Sequence, residues 1–152
     1  NVDGLHQKAG NSDALMIEVH GRIHRYKCLD CDDEGDIDAV LDRVRNGEDD
    51  PACTVCGGIV KSATISFGQA LVPEVIDRAM QVAAECDLLI AIGTSLAVYP
   101  AANVVPVAKR RGAKVVIVNA EPTEMDDLAD AVLRRGISDV LPRIVGSSES
   151  DT

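Results

Sequence analysis

The segment that decides the fold runs from Glu18-Val19-His20-Gly21 through two cysteine pairs, Cys28-x-x-Cys31 and Cys53-x-x-Cys56. Two residues between cysteines allow one tight turn to direct both sulfur atoms at the same point. Two such turns supply the four ligands of a tetrahedral zinc site. A site closed by four thiolates leaves no position for water or substrate, so the predicted zinc is structural and the chemistry is expected elsewhere.

The residues between the two pairs, 32 to 52, fit a zinc ribbon that carries an inserted helix. Apolar residues at helical spacing predict an amphipathic helix from Asp36 to Asn46, ended by Gly47. The alternative for the four cysteines is a pair of disulfides in a secreted domain. Because no secretory signal peptide is recognisable, zinc is the expectation.

Composition limits the classes of protein to which the chain can belong. With 152 residues, 46% of them hydrophobic, it has the size of one domain or of one core with a small appendage. Its apolar runs are far shorter than the roughly 20 residues that a membrane span needs, so none is predicted. The net charge of -10 and the single Phe argue against nucleic-acid binding. An acidic surface attracts basic peptides, but it also serves solubility alone.

Apolar runs and turn residues predict that strands alternate with helices, which indicates an α/β fold with a parallel sheet covered by helices on both faces. Residues 147 to 152 lack apolar content and are expected to be disordered. The predicted strands are Leu15 to Val19, Ala63 to Phe67, Leu88 to Ile92, Lys114 to Asn119 and Ala131 to Leu133. The predicted helices begin at Pro73, span 101 to 111 with a kink or later start at Pro106, and cover Glu124 to Ala129 and Ser138 to Val145.

Parallel sheets bind ligands beyond the carboxyl ends of their strands. The residues predicted there are His20, Gly68, Gly93-Thr94-Ser95 and Asn119. Glycine allows close approach of a backbone, and hydroxyl and amide groups supply hydrogen bonds, as a ribose and phosphate site needs. Taken singly, a role in turn formation explains each glycine or asparagine better.

Taken together and in this order, the motifs resemble those of the sirtuins, the NAD-dependent protein deacylases. The resemblance implies a partial Rossmann-like NAD-binding domain, residues 1–21 and 59–146, which is incomplete at its start. A small four-cysteine zinc module, 22–58, is inserted after His20, and a cytoplasmic location is expected. The matching stretches are Asn1 to His6, Glu18 to Gly21, the two cysteine pairs, Phe67-Gly68, Cys86 to Leu96, Val98-Tyr99-Pro100, and Asn119 with Thr123.

The resemblance also assigns roles to individual residues. His20 is the catalytic base, and the acyl-lysine peptide is expected as an added strand between Ile65 to Gly68 and Ala97 to Tyr99. His6, His24 and Cys86 match no catalytic position and are expected to be surface or packing residues. The implied cofactor contacts are Asn1, Asp3, Gly93, Thr94, Ser95, Asn119, Glu121 and Ser138, and the implied peptide contacts are Ile65, Phe67, Gly68 and Val98.

The implied function is NAD-dependent protein-lysine deacylation, which gives nicotinamide and an acyl-ADP-ribose. Gln69 and Ser62 depart from the Glu and Pro that sirtuins commonly carry, both at the edge that faces the peptide. No stretch corresponds to the Gly-rich pyrophosphate loop, so the chain by itself is expected to be an incomplete, inactive fragment. The alternative is a zinc-stabilised peptide-binding module without catalysis.

Overall fold

The computed structural model describes residues 1–146, so the predicted disordered tail, 147–152, lies outside the described residues. The chain divides into two compact units, Asn1–Val75 and the part from Ile76 onward. The division drawn from the motifs, with 22–58 as a separate module, stays a prediction. Within the described residues, no helix is both long enough and apolar enough to cross a membrane.

The first unit is built on an antiparallel sheet. Its strands are β1 (Gly21–Cys28), β2 (Glu34–Asp36) and β3 (Val60–Thr64), in the order β2-β1-β3. Tyr26 of β1 lies opposite Gly35 on one side and Ser62 on the other. The sequence did not predict β1, because its residues are mostly polar and show no alternation; the two neighbouring strands impose the extended form. The elements are α1 (Leu5–Lys8), β1 (Gly21–Cys28), β2 (Glu34–Asp36), α2 (Ile37–Arg45) and β3 (Val60–Thr64).

The strand predicted from Leu15 to Val19 is wrong. A single 3-10 turn covers Asp13–Leu15, and the main chain that follows is used in turns, with the N–H of Gly21 donating to the carbonyl of Glu18 at 3.1 Å. The apolar run signals burial, but a strand also needs a partner strand, which this segment lacks. His20 therefore lies in the turn before β1 and not at the carboxyl end of a parallel strand.

The strand predicted from Ala63 to Phe67 is displaced by three residues. The observed strand, β3, covers Val60–Thr64 and pairs antiparallel with β1. The chain leaves the sheet earlier than predicted because Gln69 closes a turn: its side chain accepts from the N–H of Ser66, and its own N–H donates to the Ser66 carbonyl. Gly68 consequently lies in this turn and not at the end of a parallel strand.

The helix predicted from Asp36 to Asn46 is confirmed to within one residue at each end. The carboxylate of Asp36 accepts from the N–H of Asp38 at 2.9 Å and caps α2. Gly47 follows the helix with φ +95°, a conformation that favours glycine. Local signals at the two ends therefore sufficed to define this helix.

The second unit contains a parallel sheet whose strands, β4 (Leu88–Ile92), β5 (Lys114–Val118) and β6 (Ala131–Leu133), lie in the order β4-β5-β6. Ile92, Val118 and Leu133 lie in register at the carboxyl ends of the three strands. The predicted α/β class with a partial Rossmann-like parallel sheet is thus confirmed here, and the predicted strand limits agree to within one residue. The elements are α3 (Pro73–Glu85, which begins in the first unit), β4 (Leu88–Ile92), α4 (Val104–Arg110), β5 (Lys114–Val118), β6 (Ala131–Leu133) and α5 (Ile137–Ile144).

The main core of the second unit lies between the sheet and α4. Val105 of α4 and Val115 and Ile117 of β5 are fully buried in it. The helix predicted over 101–111 is split into a 3-10 turn and α4. Pro106 is tolerated because it occupies the first turn of α4, where the N–H groups have no helical partner.

The helix predicted from Glu124 to Ala129 is a single 3-10 turn, Asp126–Leu128. Asp126 competes with helix formation, since its carboxylate accepts from both the N–H and the hydroxyl of Thr123. The closing helix, predicted from Ser138 to Val145, is α5 shifted by one residue towards the amino end. Val140 of α5 is buried.

One side of β4 remains exposed. This strand forms one edge of the sheet, and the side chains that point away from α4, Leu88, Ile90 and Ile92, are 51%, 41% and 41% exposed. An edge strand with apolar side chains and free main-chain groups is a template for pairing with another strand. The chain therefore carries a surface that favours self-association.

We predict that the purified chain self-associates and that Ile90→Lys reduces this association, because a charge on the open face of an edge strand opposes strand pairing. Sedimentation velocity over a range of protein concentrations measures the effect. Val55→Lys, which replaces a residue that is 72% exposed in the first unit, is the matched control. Equal association of the two variants would contradict the assignment of β4 as the adhesive edge.

Asp130 joins three elements of the second unit. Its carboxylate accepts from Lys109 at 2.7 Å, from the N–H of Val115 at 2.9 Å and from Lys114 at 3.3 Å. These hydrogen bonds, that from Lys109 first, hold the pKa of Asp130 well below its usual range. The ionised carboxylate thereby ties α4 and β5 to the residue that precedes β6.

Because the folded state lowers the pKa of Asp130, the stabilisation is present above the unfolded pKa of about 3.9 and is lost as the pH falls through the folded value. We expect Asp130→Asn to lower the Tm at pH 7, with a difference from the parent that shrinks as the pH falls below about 4. Thermal unfolding followed by circular dichroism at several pH values tests this. A difference independent of pH would show that the charge of Asp130 contributes nothing.

Candidate functional site

Four cysteines of the first unit meet at one point. The Sγ atoms of Cys28, Cys31, Cys53 and Cys56 all lie within 4.8 Å of one another. The Sγ–Sγ distance is 3.5 Å between Cys28 and Cys56 and 3.8 Å between Cys31 and Cys53. These distances agree with a tetrahedral zinc site, in which Zn–S bonds of about 2.3 Å place the sulfur atoms about 3.8 Å apart. The cysteines are free thiols, so the alternative of two disulfides is wrong. The four are positioned to bind one structural zinc ion.

The main chain around each pair supports the metal site. The N–H of Asp30 donates to Cys28 Sγ and the N–H of Gly58 donates to Cys56 Sγ, each at 3.4 Å. Both bonds join a sulfur to the residue two positions later, so the two pairs fold into the same kind of turn. An N–H directed at sulfur stabilises a thiolate, which is the form that binds metal.

The four cysteines also shift one another's pKa. The hydrogen bond from the Asp30 N–H lowers the pKa of Cys28 to about 7. For Cys31, a hydrogen bond from the N–H of Asp33 lowers the pKa, but the neighbouring thiols and burial outweigh it and raise the pKa to about 12. Four thiolates this close together need a cation between them, which fits a zinc ligand set.

Arg43 of α2 anchors the second cysteine pair. Its guanidinium donates to the carbonyl of Ala52, the residue before Cys53, at 2.7 Å, and to both carboxylate oxygens of Glu48 at 2.8 and 2.6 Å. The hydrogen bonds from Arg43 to the Glu48 carboxylate lower the pKa of Glu48. The helix inserted between the pairs therefore holds the main chain that presents Cys53.

We predict that Cys53→Ser loses the zinc and unfolds the module, since a structural zinc contributes folding free energy directly. Arg43→Ala should retain zinc but release it to a chelator more readily, with an affinity about 10- to 100-fold lower, because residues that orient ligands have effects of this size. Metal analysis and a competition titration with a chromogenic chelator measure both.

Arg45→Ala is the matched control, because Arg45 lies on the same helix and, among the described residues, pairs with two exposed carboxylates. Its zinc affinity should equal that of the parent. Full zinc occupancy in Cys53→Ser would refute the ligand assignment, and equal affinities for the two arginine variants would refute the anchoring role of Arg43.

His20 sits in the tight turn that leads into β1, and its side chain is half buried. Its carbonyl accepts from the N–H of Ile65 at 2.9 Å, which fixes the turn to the end of β3. Gly21 follows with φ +80°, and a Cβ there would overlap the carbonyl oxygen of Ala63. Glycine is thus required at position 21, because it lets the chain pass β3 closely directly after His20.

The segment from Asn1 to Asp3 lies beside β1. The N–H of Ile23 donates to the carbonyl of Val2 at 2.9 Å, and His24 Nε2 donates to the carbonyl of Asp3 at 2.8 Å. His24, expected to serve local packing, thus holds this segment in place. Asn1 and Asp3 line a cavity of about 330 Å³ within the first unit. Asn1 and Asp3 therefore lie on a segment that is hydrogen-bonded to β1 just after the turn that carries His20.

The cofactor residues predicted for the second unit gather at the carboxyl edge of the parallel sheet. Gly93 follows β4, and its N–H donates to the carbonyl of Val118 at 2.9 Å. Asn119 follows β5, and its side-chain amide donates to the carbonyl of Glu121 at 2.8 Å. Since parallel strands in register end at one edge, Gly93 and Asn119 are neighbours there.

The three hydroxyl residues predicted to contact the cofactor differ in their hydrogen bonds and exposure: Thr94, Ser95 and Ser138. The hydroxyl of Thr94 accepts from the N–H of Leu96 at 3.2 Å, which shapes the loop after β4. Ser95 is exposed in that loop, and Ser138 is exposed in the first turn of α5. Their hydroxyls are therefore accessible, and their contacts with a cofactor stay predictions.

Arg134 also lies at this edge, and no sequence motif predicts its role there. It follows β6, donates to the carbonyl of Glu121 at 2.8 Å and pairs with Asp126. Burial by itself raises the pKa of Asp126, but hydrogen bonds from Thr123 and Arg134 outweigh it and lower the pKa. An arginine directly after a short strand is a weak signal, and only the parallel register reveals its place beside Asn119.

The predicted peptide contacts are divided between the units. In the first unit, Phe67 is 99% exposed and Gly68 follows it with φ +85°. Ile65 is half buried and belongs to the stretch directly after β3, a strand whose second edge is unpaired in its sheet. In the second unit, Val98 is 46% exposed. An open strand edge followed by exposed main chain is the arrangement that accepts an added strand.

The parallel sheet and the four clustered cysteines define an α/β protein with a Rossmann-like sheet and a site positioned to bind one structural zinc ion. The sequence profile described as the Sir2 family matches residues 1–100. The chain therefore belongs to the Sir2 family.

Curated relatives and solved structures agree with this assignment. The chain is 46% identical to NAD-dependent protein deacetylase 2 of Streptomyces coelicolor, over 95% of its own length and 60% of the relative. It is also 46% identical to NAD-dependent protein deacetylase 1 of Bradyrhizobium diazoefficiens, over 97% of its own length and 58% of the relative. The chain thus spans about 60% of the length of such relatives.

Two solved structures are similar in fold. One, described as Sir2 with a p53 peptide and NAD+, has a TM-score of 0.89 and 31% identity, with coverage of 97% of this chain and 60% of the other. A second, described as Sir2 bound to acetylated peptide, has a TM-score of 0.90 and 30% identity, with the same coverage. Both solved structures are described as Sir2, which agrees with the family assignment.

Proposed function

We propose that this chain carries the histidine- and zinc-bearing part of an NAD-dependent protein-lysine deacylase, which gives nicotinamide and an acyl-ADP-ribose. The observation that carries the proposal is the His20 turn, fixed to β3, with the Asn1–Asp3 segment anchored just after it on β1. Relatives that share 46% identity over nearly the whole chain are named NAD-dependent protein deacetylases.

His20 acts as the general base in this proposal. An imidazole is well suited to take up a proton near neutral pH. Its backbone is held by the Ile65 N–H and by the close passage of Gly21 along β3, so the ring projects from a fixed main chain. A general base is effective only when its position is set in advance, which the turn achieves.

When bound, NAD would supply an activated glycosidic bond that the acyl oxygen of the substrate can attack, with nicotinamide as the leaving group. The chain contributes two groups of residues toward it. Asn1 and Asp3 are proposed to meet the ribose and carboxamide, and Gly93, Thr94 and Ser95 the ribose and phosphate. Asn119 and Glu121 are proposed to contact the adenosine, with Ser138 as a further contact. A main-chain N–H, a hydroxyl and an amide at a sheet edge are suitable donors for these groups.

The substrate is proposed to be an acyl-lysine segment of a protein, bound as an added strand through Ile65, Phe67, Gly68 and Val98. Main-chain pairing recognises an extended backbone without demanding one sequence. The net charge of -10 favours basic segments and disfavours nucleic acid. Free thiols at a zinc site suit a reducing compartment, which supports a cytoplasmic location.

A second candidate is a zinc-stabilised peptide-binding module without catalysis. The open edge of β3 and the exposed Phe67 favour peptide binding, whether or not NAD is bound. The chain also lacks the Gly-rich turn on which a Rossmann pyrophosphate usually rests. We therefore propose that the chain alone binds NAD weakly and does not turn over.

The test uses the chain as it stands and a chimera that adds the part of the Streptomyces coelicolor relative that the chain does not match. We expect the chimera to release nicotinamide in proportion to acetyl-lysine consumed. His20→Ala in the chimera should lower kcat by about 10²- to 10⁴-fold, the usual cost of losing a general base, with zinc content unchanged. Nicotinamide release and calorimetric titration with NAD provide the two measurements.

The outcomes separate the candidates. A chimera that binds an acetyl-lysine peptide but never releases nicotinamide supports the binding module. Near-parental activity in His20→Ala shows that another residue is the base. Tight NAD binding and turnover by the unextended chain would show that the segment absent from it is dispensable.

A further inference from the structure

We propose that Glu18 is a positioning residue that locks the helix after the Asn1–Asp3 segment to the turn that carries His20. The inference deepens the proposed function, on which its kinetic part rests. Glu18 lies two residues before His20, and neither its contacts nor its burial follow from the roles assigned above.

The carboxylate of Glu18 is largely withdrawn from solvent, with its side chain 12% exposed. Its Oε1 accepts from the side-chain amide of Gln7 at 3.0 Å, and its Oε2 pairs with Arg22. Each carboxylate oxygen thus faces one partner, and the two partners come from opposite sides of His20 in the sequence. A charged group held from water in this way needs both partners.

Gln7 belongs to α1, the helix directly after Asn1-Val2-Asp3. The carbonyls of Val2 and Asp3 are held by β1, but neither of these bonds reaches α1. The Gln7–Glu18 bond supplies that missing connection. Glu18 and Gln7 both line the cavity of about 330 Å³ that Asn1 and Asp3 also line.

Arg22 connects the same carboxylate to the sheet. Its main chain pairs with Ala63 of β3, and its guanidinium also approaches Asp13 at 3.8 Å. The side chain of Arg22 is 47% exposed and that of Asp13 is 67% exposed, so this outer contact is worth little in water. The largely covered Glu18 carboxylate is therefore the centre of the network, and the exposed Asp13 lies at its edge.

The arrangement predicts a specific kinetic defect. Without Glu18, α1 loses its register with the His20 turn, and the Asp3 side chain, which accepts from the Leu5 N–H of α1 at 3.0 Å, loses it too, while the zinc site and the bonds from β1 to Val2 and Asp3 remain. A displacement of the order of 1 Å costs about 100-fold in rate at a catalytic site. Because Asn1 and Asp3 are proposed to meet the cofactor, the KM for NAD should rise and kcat should fall, with the KM for peptide unchanged.

The kinetic experiment compares Glu18→Ala, Glu18→Gln and Asp13→Asn in the chimera. We expect Glu18→Ala to lower kcat/KM for NAD by about 10- to 100-fold. Glu18→Gln, whose amide oxygen still accepts from Gln7, should recover part of the loss. Asp13→Asn removes an exposed carboxylate from the same network and should behave as the parent. A purely structural role would lower the active fraction and leave both KM values unchanged, which would overturn the proposal.

A second measurement uses the unextended chain and needs no activity. In Glu18→Ala, hydrogen exchange should accelerate at the amides of Lys8 and Ala9, which close α1, while the amides of Cys28 and Cys53 in the zinc site keep their protection. Unchanged exchange in α1 would refute the lock. If the parent chimera is inactive, the proposed function fails but this exchange result still decides the role of Glu18.

Discussion

The convergence of four thiols on one point is the constraint on which the first unit depends. Cys28 is the last residue of β1, and Cys56 lies four residues before β3 begins, so a metal bound there fastens together the ends of the two strands. Neither strand has the apolar alternation that would specify its pairing. Cys28 lies opposite Val60, so a zinc ion held by the four cysteines would favour this register, and the turn that carries His20 is at the far end of the same pair of strands.

That placement connects the predicted structural zinc to the proposed chemistry, in which the zinc takes no part. The register of β1 and β3 brings Gly21 against Ala63, and the Ile65 N–H to the His20 carbonyl. β1 then holds Val2 and Asp3 through Ile23 and His24. The residues proposed to meet substrate and cofactor in this unit therefore depend on a strand pairing that the cysteine cluster secures.

The second unit depends on a different constraint, the parallel register of three strands. In-register strands end together, so short polar loops after each one form a single edge. Gly93, Asn119 and Arg134 occupy this edge, and Arg134 stabilises the loop of Glu121 from outside. On the opposite side from α4, β4 leaves three apolar side chains half exposed. The unit therefore combines a well-packed core under α4 with an edge that favours association.

The sequence by itself determined the zinc ligands, α2, the parallel strands of the second unit and the family, because these features depend on local spacing. A Cys-x-x-Cys turn, a capped amphipathic helix and a buried strand each carry their signal within a few residues. Tertiary structure alone decided that β1 is a strand, that residues 16–20 are not, and that Arg134 and Glu18 face their partners. The physical reason is that these features depend on hydrogen bonds and ion pairs between segments that are distant in the sequence. Such partners produce no periodic pattern in the sequence that could predict them.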